Sequence, residues 1–309
     1  MSMPPVPPKV TLAYLRARKR RGDRLTMLTV YDYPGATLAD RAGIDIVFVG
    51  DSVGTNLLGY RSAQEVTMGD MLHHARAARR GVERGLFLVD MPFLSYQIGV
   101  AEALRNAGRL VQEAGAEAVK IEGGDPVLPQ VEALSAAGVP VMGHLGFTPQ
   151  AQTSSYYVYS ERRGTVPRFQ GKDAAGARAL LDQARRLADA GAFALVLEMV
   201  AEEAAQAIAE SLEIPVIGIG SGRYCDGQVL TSVDLLGWSE HELRVARAYA
   251  EFRRGALAAM QAYRQDVLAG RFPAETNVQH MDPEELAHFR AALPAGRSEP
   301  RASATADPA

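Results

Sequence analysis

The chain has 309 residues, 47% hydrophobic and 22% charged, with a formal net charge of -3. It is an ordinary globular composition with apolar residues enough for one large core, and its slight acidity argues against nucleic acid or an anionic membrane as the main partner. The lone Cys225 excludes an internal disulfide and suits a reducing compartment, the cytoplasm, and no apolar run approaches the roughly 20 residues that span a bilayer.

Residues 1–10 form a Pro-rich arm without the basic start and apolar centre of a secretory signal. Thr11 is expected to cap a short helix whose Arg16, Arg18, Lys19, Arg20 and Arg21 read as a solvated face, since no aromatic side chain interleaves with them. From residue 26 a repeating grammar begins: a short run rich in β-branched residues, a polar loop, a helix-period stretch, then glycine. The runs are 26–32, 45–52, 86–93, 118–124, 139–148, 194–200, 215–222 and a weaker one at 229–236. Helices are expected over 69–80, 101–114, 126–137, 174–190 and 202–212, and Gly43, Gly81, Gly115, Gly138 and Gly191 are placed as left-handed residues ending helices.

Strands alternating with helices pair in parallel through right-handed crossovers. About eight such units close a (β/α)8 TIM barrel. The expected organisation is therefore the arm, a single catalytic domain over 11–275, and an extension over 276–309 that is disordered from about 294; residues 240–270 read as one or two helices.

The run around Val119 carries two charges where a buried strand should carry none. Alternation points Val119 and Ile121 to one face and Lys120 and Glu122 together to the other, which reads either as a structural ion pair or as part of a site. Other runs also end in polar residues: Asp51 and Ser52, Asp90, His144 and Glu198. In a barrel those ends share the active-site face. By alternation Asp51 falls on the face of Val47 and Val49, and Glu198 on that of Ala194 and Val196; both faces are expected to point inward.

One strand-end carboxylate commonly caps the next helix. Asp51, Asp90, Glu122 and Glu198 at one rim repel one another unless a cation sits among them, and an all-oxygen set suits Mg2+. Such an ion chelated by a 2-oxo acid polarises the carbonyl, Lys120 can neutralise the substrate's charge, and a carboxylate can remove the α-proton. Glu198 ends a very apolar strand, a setting suited to a general base. The run Gly218-Ile219-Gly220-Ser221-Gly222 lacks the helix start of a dinucleotide fingerprint, and its second reading is a barrel loop after the seventh strand whose backbone amides hold an anion. His73 and His74 read as surface or supporting groups, and Tyr156, Tyr157 and Tyr159 as a lid or a packed loop.

With these residues in view, the chain resembles the ketopantoate hydroxymethyltransferase (3-methyl-2-oxobutanoate hydroxymethyltransferase) family. The motifs are MLTVYDY at 27–33, VGDSVG at 49–54, VDMPF at 89–93, VKIEGG at 119–124, GHLGFTPQ at 143–150 and IGIGSG at 217–222, in order over roughly 25–275. The resemblance implies a Mg2+-dependent barrel that transfers a hydroxymethyl group from 5,10-methylenetetrahydrofolate to 3-methyl-2-oxobutanoate through a metal-stabilised enolate, on the way to pantothenate and coenzyme A. It implies Asp51 and Asp90 as metal holders, with Glu122 joining directly or through water. Asp51, Ser52, Asp90 and Lys120 would hold the keto acid, Glu198 would accept the proton, and His144 would support them. A cytoplasmic homo-oligomer, a decamer, is also implied. The chain departs from the family pattern in a longer Tyr- and Arg-rich stretch over 154–168, in Met199 where cysteine is common, and in Val233 where histidine is frequent. Two other readings are a Mg2+-dependent 2-oxo-acid lyase or mutase of the phosphoenolpyruvate mutase and isocitrate lyase type, and a barrel without catalysis. The first wants its own cysteine-bearing loop, and the second predicts erosion among the acids and Lys120.

Overall fold

The computed structural model describes residues 8–151, 157–160, 164–239 and 245–293. The expected disorder from about 294 and most of the Pro-rich arm lie outside them. Two units are present, one through Tyr249 and one from Ala250.

In the first unit α1 (Leu12–Arg21) is capped by Thr11, whose side chain accepts from the Tyr14 amide. Strands β1 (Leu25–Thr29), β2 (Ile46–Val49), β3 (Leu86–Asp90), β4 (Ala118–Glu122) and β5 (Val141–Gly146) alternate with α2 (Tyr33–Arg41), α3 (Met68–Arg79), α4 (Val100–Ala114) and α5 (Leu128–Ala136). A hairpin of β6 (Tyr157–Ser160) and β7 (Gly164–Pro167) precedes α6 (Ala174–Asp189), β8 (Ala194–Glu198), α7 (Glu202–Ser211), β9 (Val216–Ile219), β10 (Gly227–Thr231) and the short α8 (Ser232–Leu235). Eight parallel strands close in the order β1-β10-β9-β8-β5-β4-β3-β2, the expected TIM barrel.

Alternation fills two layers. Val47, Val49, Val119, Ile121, Leu195 and Leu197 face the helices, while Ile46, Phe48, Leu88, Met142, Ala194 and Val196 fill the barrel interior. Burying an aliphatic or aromatic side chain of this size stabilises by about 1.5–3 kcal/mol. Val10 and Leu15 join the inner cluster, so the segment leading into α1 and the helix itself close the barrel at the strands' N-terminal ends.

Four expectations change. Helix α2 stands outside the expected helices; it starts because Asp32 accepts from the Gly35 amide at 2.7 Å and Pro34 stands in its first turn. The run at 229–236 ends as a strand at Thr231, whose hydroxyl then caps α8. Gly81 is not left-handed: a Cβ there would lie 2.6 Å from Thr37 Oγ1, so glycine allows α2 and α3 to approach. The crossover from β9 to β10 holds no helix, and Cys225 on that link packs into the outer layer. The tyrosine-rich stretch is a paired hairpin over its described backbone, with Val158 opposite Val166; Tyr156 lies outside the described residues.

The second unit contains α9 (Phe252–Leu268) and α10 (Pro283–Ala291). Leu257, Met260 and Tyr263 are exposed along α9, and the Tyr263 and Phe272 rings meet edge to face at 5.7 Å. Among the described residues no helix is long and apolar enough to cross a membrane.

Candidate active site

Parallel register assembles the rim. Asp90 on β3 pairs with Lys120 on β4, Glu122 with His144 on β5, and Gly146 with Glu198 on β8. Each of the charged positions continues an inward-facing row, so the apolar interior gives way to a polar layer at the strands' C-terminal ends. Asp51 arrives differently. Val47 and Val49 face the helices, which corrects the expectation that their face points inward. Strand β2 ends at Val49, and the turn that follows brings Asp51 to the cluster. There its amide donates to Asp90 Oδ2 at 3.0 Å.

Lys120 is the hub. Its Nζ lies 2.8 Å from Asp90 Oδ1, 3.6 Å from Glu122 Oε1 and 5.5 Å from the centre of the Phe48 ring. His144 bridges two acids, with Nδ1 3.3 Å from Glu122 Oε1 and Nε2 3.4 Å from Glu198 Oε2. Asp51, Asp90, Lys120, Glu122 and His144 are all buried, whereas the Glu198 side chain is 22% exposed. Only Glu198 of this group therefore reaches the open side of the site.

The charges do not balance. Burial, then Asp90 and Glu122, push Asp51 well above the ordinary carboxylate range. Burial likewise raises Asp90 to about 6 although Lys120 touches it. Lys120 and His144 together do not offset four acids, Asp51, Asp90, Glu122 and Glu198. Burial opposes the charge of Glu122 too, but Lys120 and His144 hold its pKa down at about 2. Burial works against the Lys120 ammonium, and the surrounding acids raise its pKa nevertheless. For His144, burial and Lys120 oppose protonation, and Glu122 with Glu198 overcome them, carrying the pKa up to about 9. The imidazolium then stands as an ion-pair partner between the two glutamates, one on each ring nitrogen.

Ser52 stands on the same turn as Asp51, and its hydroxyl shares a 2.9 Å hydrogen bond with that of Tyr31, which accepts from Asn56 Nδ2 at 2.8 Å. His74 meets the Tyr31 carbonyl at 2.7 Å from a helix, the supporting place expected of it. The glycine-rich turn after β9 already faces a carboxylate of the chain: Glu202 Oε2 accepts from the Arg223 amide at 2.8 Å. Residues that sequence reasoning passed over are Tyr96 and Gln150. The Tyr96 hydroxyl accepts from the Glu122 amide at 3.0 Å, and the Gln150 amide donates to Glu122 Oε2 at 3.1 Å. Gln150 closes one of the quoted motifs, the one signal available for it. Next to the rim, a cavity of about 210 Å3 is lined by Gly123, Gly146, Thr148, Gln170 and Gln183.

Among the described residues, no three His, Cys, Asp or Glu side chains form a ready-made metal cage. The donor set still fits a hard cation that keeps waters and takes few protein ligands. Asp90 Oδ1 is buried without a hydrogen-bond partner despite its ion pair, and the acids outnumber the cations around them. Cys225 is buried away from this rim and its thiol is pushed up to about 11 by burial, no setting for a catalytic thiolate.

A family model described as ketopantoate hydroxymethyltransferase matches residues 9–275. The chain is 47% identical over 268 residues to the 3-methyl-2-oxobutanoate hydroxymethyltransferase of Moorella thermoacetica, covering 86% of this chain and 96% of that one. It is 46% identical over 280 residues to the enzyme of the same name from Chloroflexus aurantiacus, covering 90% and 96%. Among solved structures, a phosphoenolpyruvate phosphomutase from Streptomyces platensis subsp. rosaceus matches with a TM-score of 0.55 at 18% identity, covering 91% of this chain and 97% of that one. A phosphonopyruvate hydrolase in complex with oxalate and Mg++ matches with a TM-score of 0.54 at 14% identity, covering 91% and 94%. At such identities these two share the fold.

Proposed function

The chain belongs to the ketopantoate hydroxymethyltransferase family and is an enzyme, and from that premise we propose that it moves a hydroxymethyl group from 5,10-methylenetetrahydrofolate to 3-methyl-2-oxobutanoate, giving 2-dehydropantoate for pantothenate synthesis. The observation that carries this reading is the convergence of Asp51, Asp90 and Glu122 with Lys120 at the barrel mouth, buried and short of positive charge.

Asp51 and Asp90 would hold Mg2+, with Glu122 acting through water because Lys120, His144 and the Gln150 amide already engage it. The ion, when bound, polarises the keto group and offsets the charge that develops as the neighbouring carbon loses its proton. Lys120 neutralises the carboxylate end of the keto acid, and the Ser52 hydroxyl, held by Tyr31, orients it. Glu198, the acid on the open side, takes the proton from the carbon that will carry the new group. His144, charged between Glu122 and Glu198, keeps Glu198 aimed at the open side of the site. Water adds to the folate methylene as both of its carbon–nitrogen bonds break and tetrahydrofolate leaves with its nitrogens protonated; the deprotonated carbon bonds to that one-carbon unit, whose oxygen, supplied by water, takes up a proton and becomes the hydroxyl.

We also place the enzyme in the cytoplasm as a homo-oligomer; a thiol kept reduced suits the first, and the second would cover the apolar side chains exposed on α9. The test uses purified protein, 3-methyl-2-oxobutanoate, Mg2+ and methylenetetrahydrofolate. Formation of 2-dehydropantoate, lost on chelation, is expected. Metal-independent turnover, or none with these substrates, overturns the reading.

A further inference from the structure

Gln150 is 2% exposed and every hydrogen-bonding position of its side-chain amide is used. Nε2 donates to Asp51 Oδ2 at 2.8 Å and to the Met91 carbonyl at 3.0 Å. Oε1 accepts from the Tyr96 hydroxyl at 2.7 Å and from Gln97 Nε2 at 3.0 Å. Its backbone completes the junction: the amide donates to Glu122 Oε2 at 3.1 Å, and the carbonyl accepts from Gln64 Nε2 at 2.8 Å. One residue thus ties the loops after β2 and β3 and the end of β4 to the loop after β5.

The chemistry of the partners fixes which way the amide lies. The Met91 carbonyl can only accept, so it demands N–H on that side, where Asp51 Oδ2 takes the second one; on the other side stand the Tyr96 hydroxyl and the Gln97 amide. A glutamate here would set oxygen against oxygen, and a shorter side chain would leave buried groups unpaired. The local backbone is built for this placement. Gly146 sits at φ +98, and a Cβ there would fall 2.1 Å from the Glu198 carbonyl, so only glycine lets the chain turn close to β8 before reaching Gln150.

We propose that Gln150 is a positioning residue that sets the spacing of Asp51 and Glu122 for a small octahedral cation. The inference rests on the metal reading above. Mg2+ demands near-ideal octahedral geometry at about 2.0–2.1 Å, whereas Ca2+ accepts more oxygens in looser arrangements at about 2.3–2.6 Å. Freeing Asp51 from its amide therefore harms Mg2+ more than Ca2+.

Calorimetric titration of the native protein, Gln150→Met and Gln97→Ala with each metal tests this, alongside the thermal midpoint of the metal-free proteins. In Gln150→Met, Mg2+ affinity is expected to fall about 10–100-fold and Ca2+ affinity by less than about 3-fold. Gln97→Ala, which removes one exposed donor and keeps Gln150, is expected to show the same selective loss in smaller size. It decides the matter alone if the methionine variant does not fold. Unchanged Mg2+ affinity, or equal losses for both metals, overturns the positioning role while native Mg2+ binding stands. A native protein that binds no Mg2+ removes the metal reading itself.

Discussion

The two ends of the barrel hold charge in opposite ways. At the N-terminal ends of the strands each acid in the ion pairs meets a base: Lys9 with Glu117 at 2.6 Å, Lys19 with Asp226 at 2.7 Å, and Arg84 with Asp45 at 3.3 Å. The basic partners there keep some contact with solvent. At the C-terminal ends Lys120 is surrounded by three buried acids, and His144 is charged only because it lies between two glutamates. A matched and partly wet pair is a modest contribution to stability. A buried, unmatched cluster is costly to keep, so its retention marks the end where chemistry happens.

That contrast predicts a graded set of outcomes. The largest is at Glu198: Glu198→Gln should slow α-deuterium exchange of 3-methyl-2-oxobutanoate by on the order of 10³-fold while Mg2+ affinity stays near native. Exchange retained in that variant, followed by proton NMR, would place the base elsewhere. Next, Asp90→Ala should weaken Mg2+ binding by about 100-fold and take activity with it; a native magnesium titration of the variant would remove Asp90 from the metal set.

A third outcome depends on pH. The folded-state pKa of His144 is raised from 6.5 to about 9, so its contribution is fully present below about 6.5 and is lost as pH rises through about 9. Across that window the metal-free native protein should lose more thermal stability than His144→Gln. Parallel melting curves at each pH would show that the charge on His144 does not hold the rim together. The smallest effect belongs to the other end. Lys19→Met should cost about 1 kcal/mol or less and leave turnover unchanged, so a large kinetic defect there would erase the distinction between the two ends.

Much of the site could be seen in the order of residues because strand side chains alternate. A polar residue in an inward row, such as Lys120, Glu122, His144 or Glu198, stands out from the apolar residues two positions earlier. The same rule failed at Asp51, which lies beyond the last residue of β2, where a turn and not the pleat directs the side chain. Gly81 failed for a related reason. Its place after a helix suggested a cap, but contact with Thr37 from another helix made glycine necessary there.

Local periodicity and the polar strand ends were enough to establish the eight strands, the closed barrel and the acids of its mouth, since both are written within a few neighbouring residues. Folding alone decided which face of β2 looks inward, that His144 bridges Glu122 and Glu198, and that Gln150 reaches an aspartate 99 positions away. Those facts depend on strand register and on turns that join distant segments, and no stretch of chain shorter than the barrel contains them.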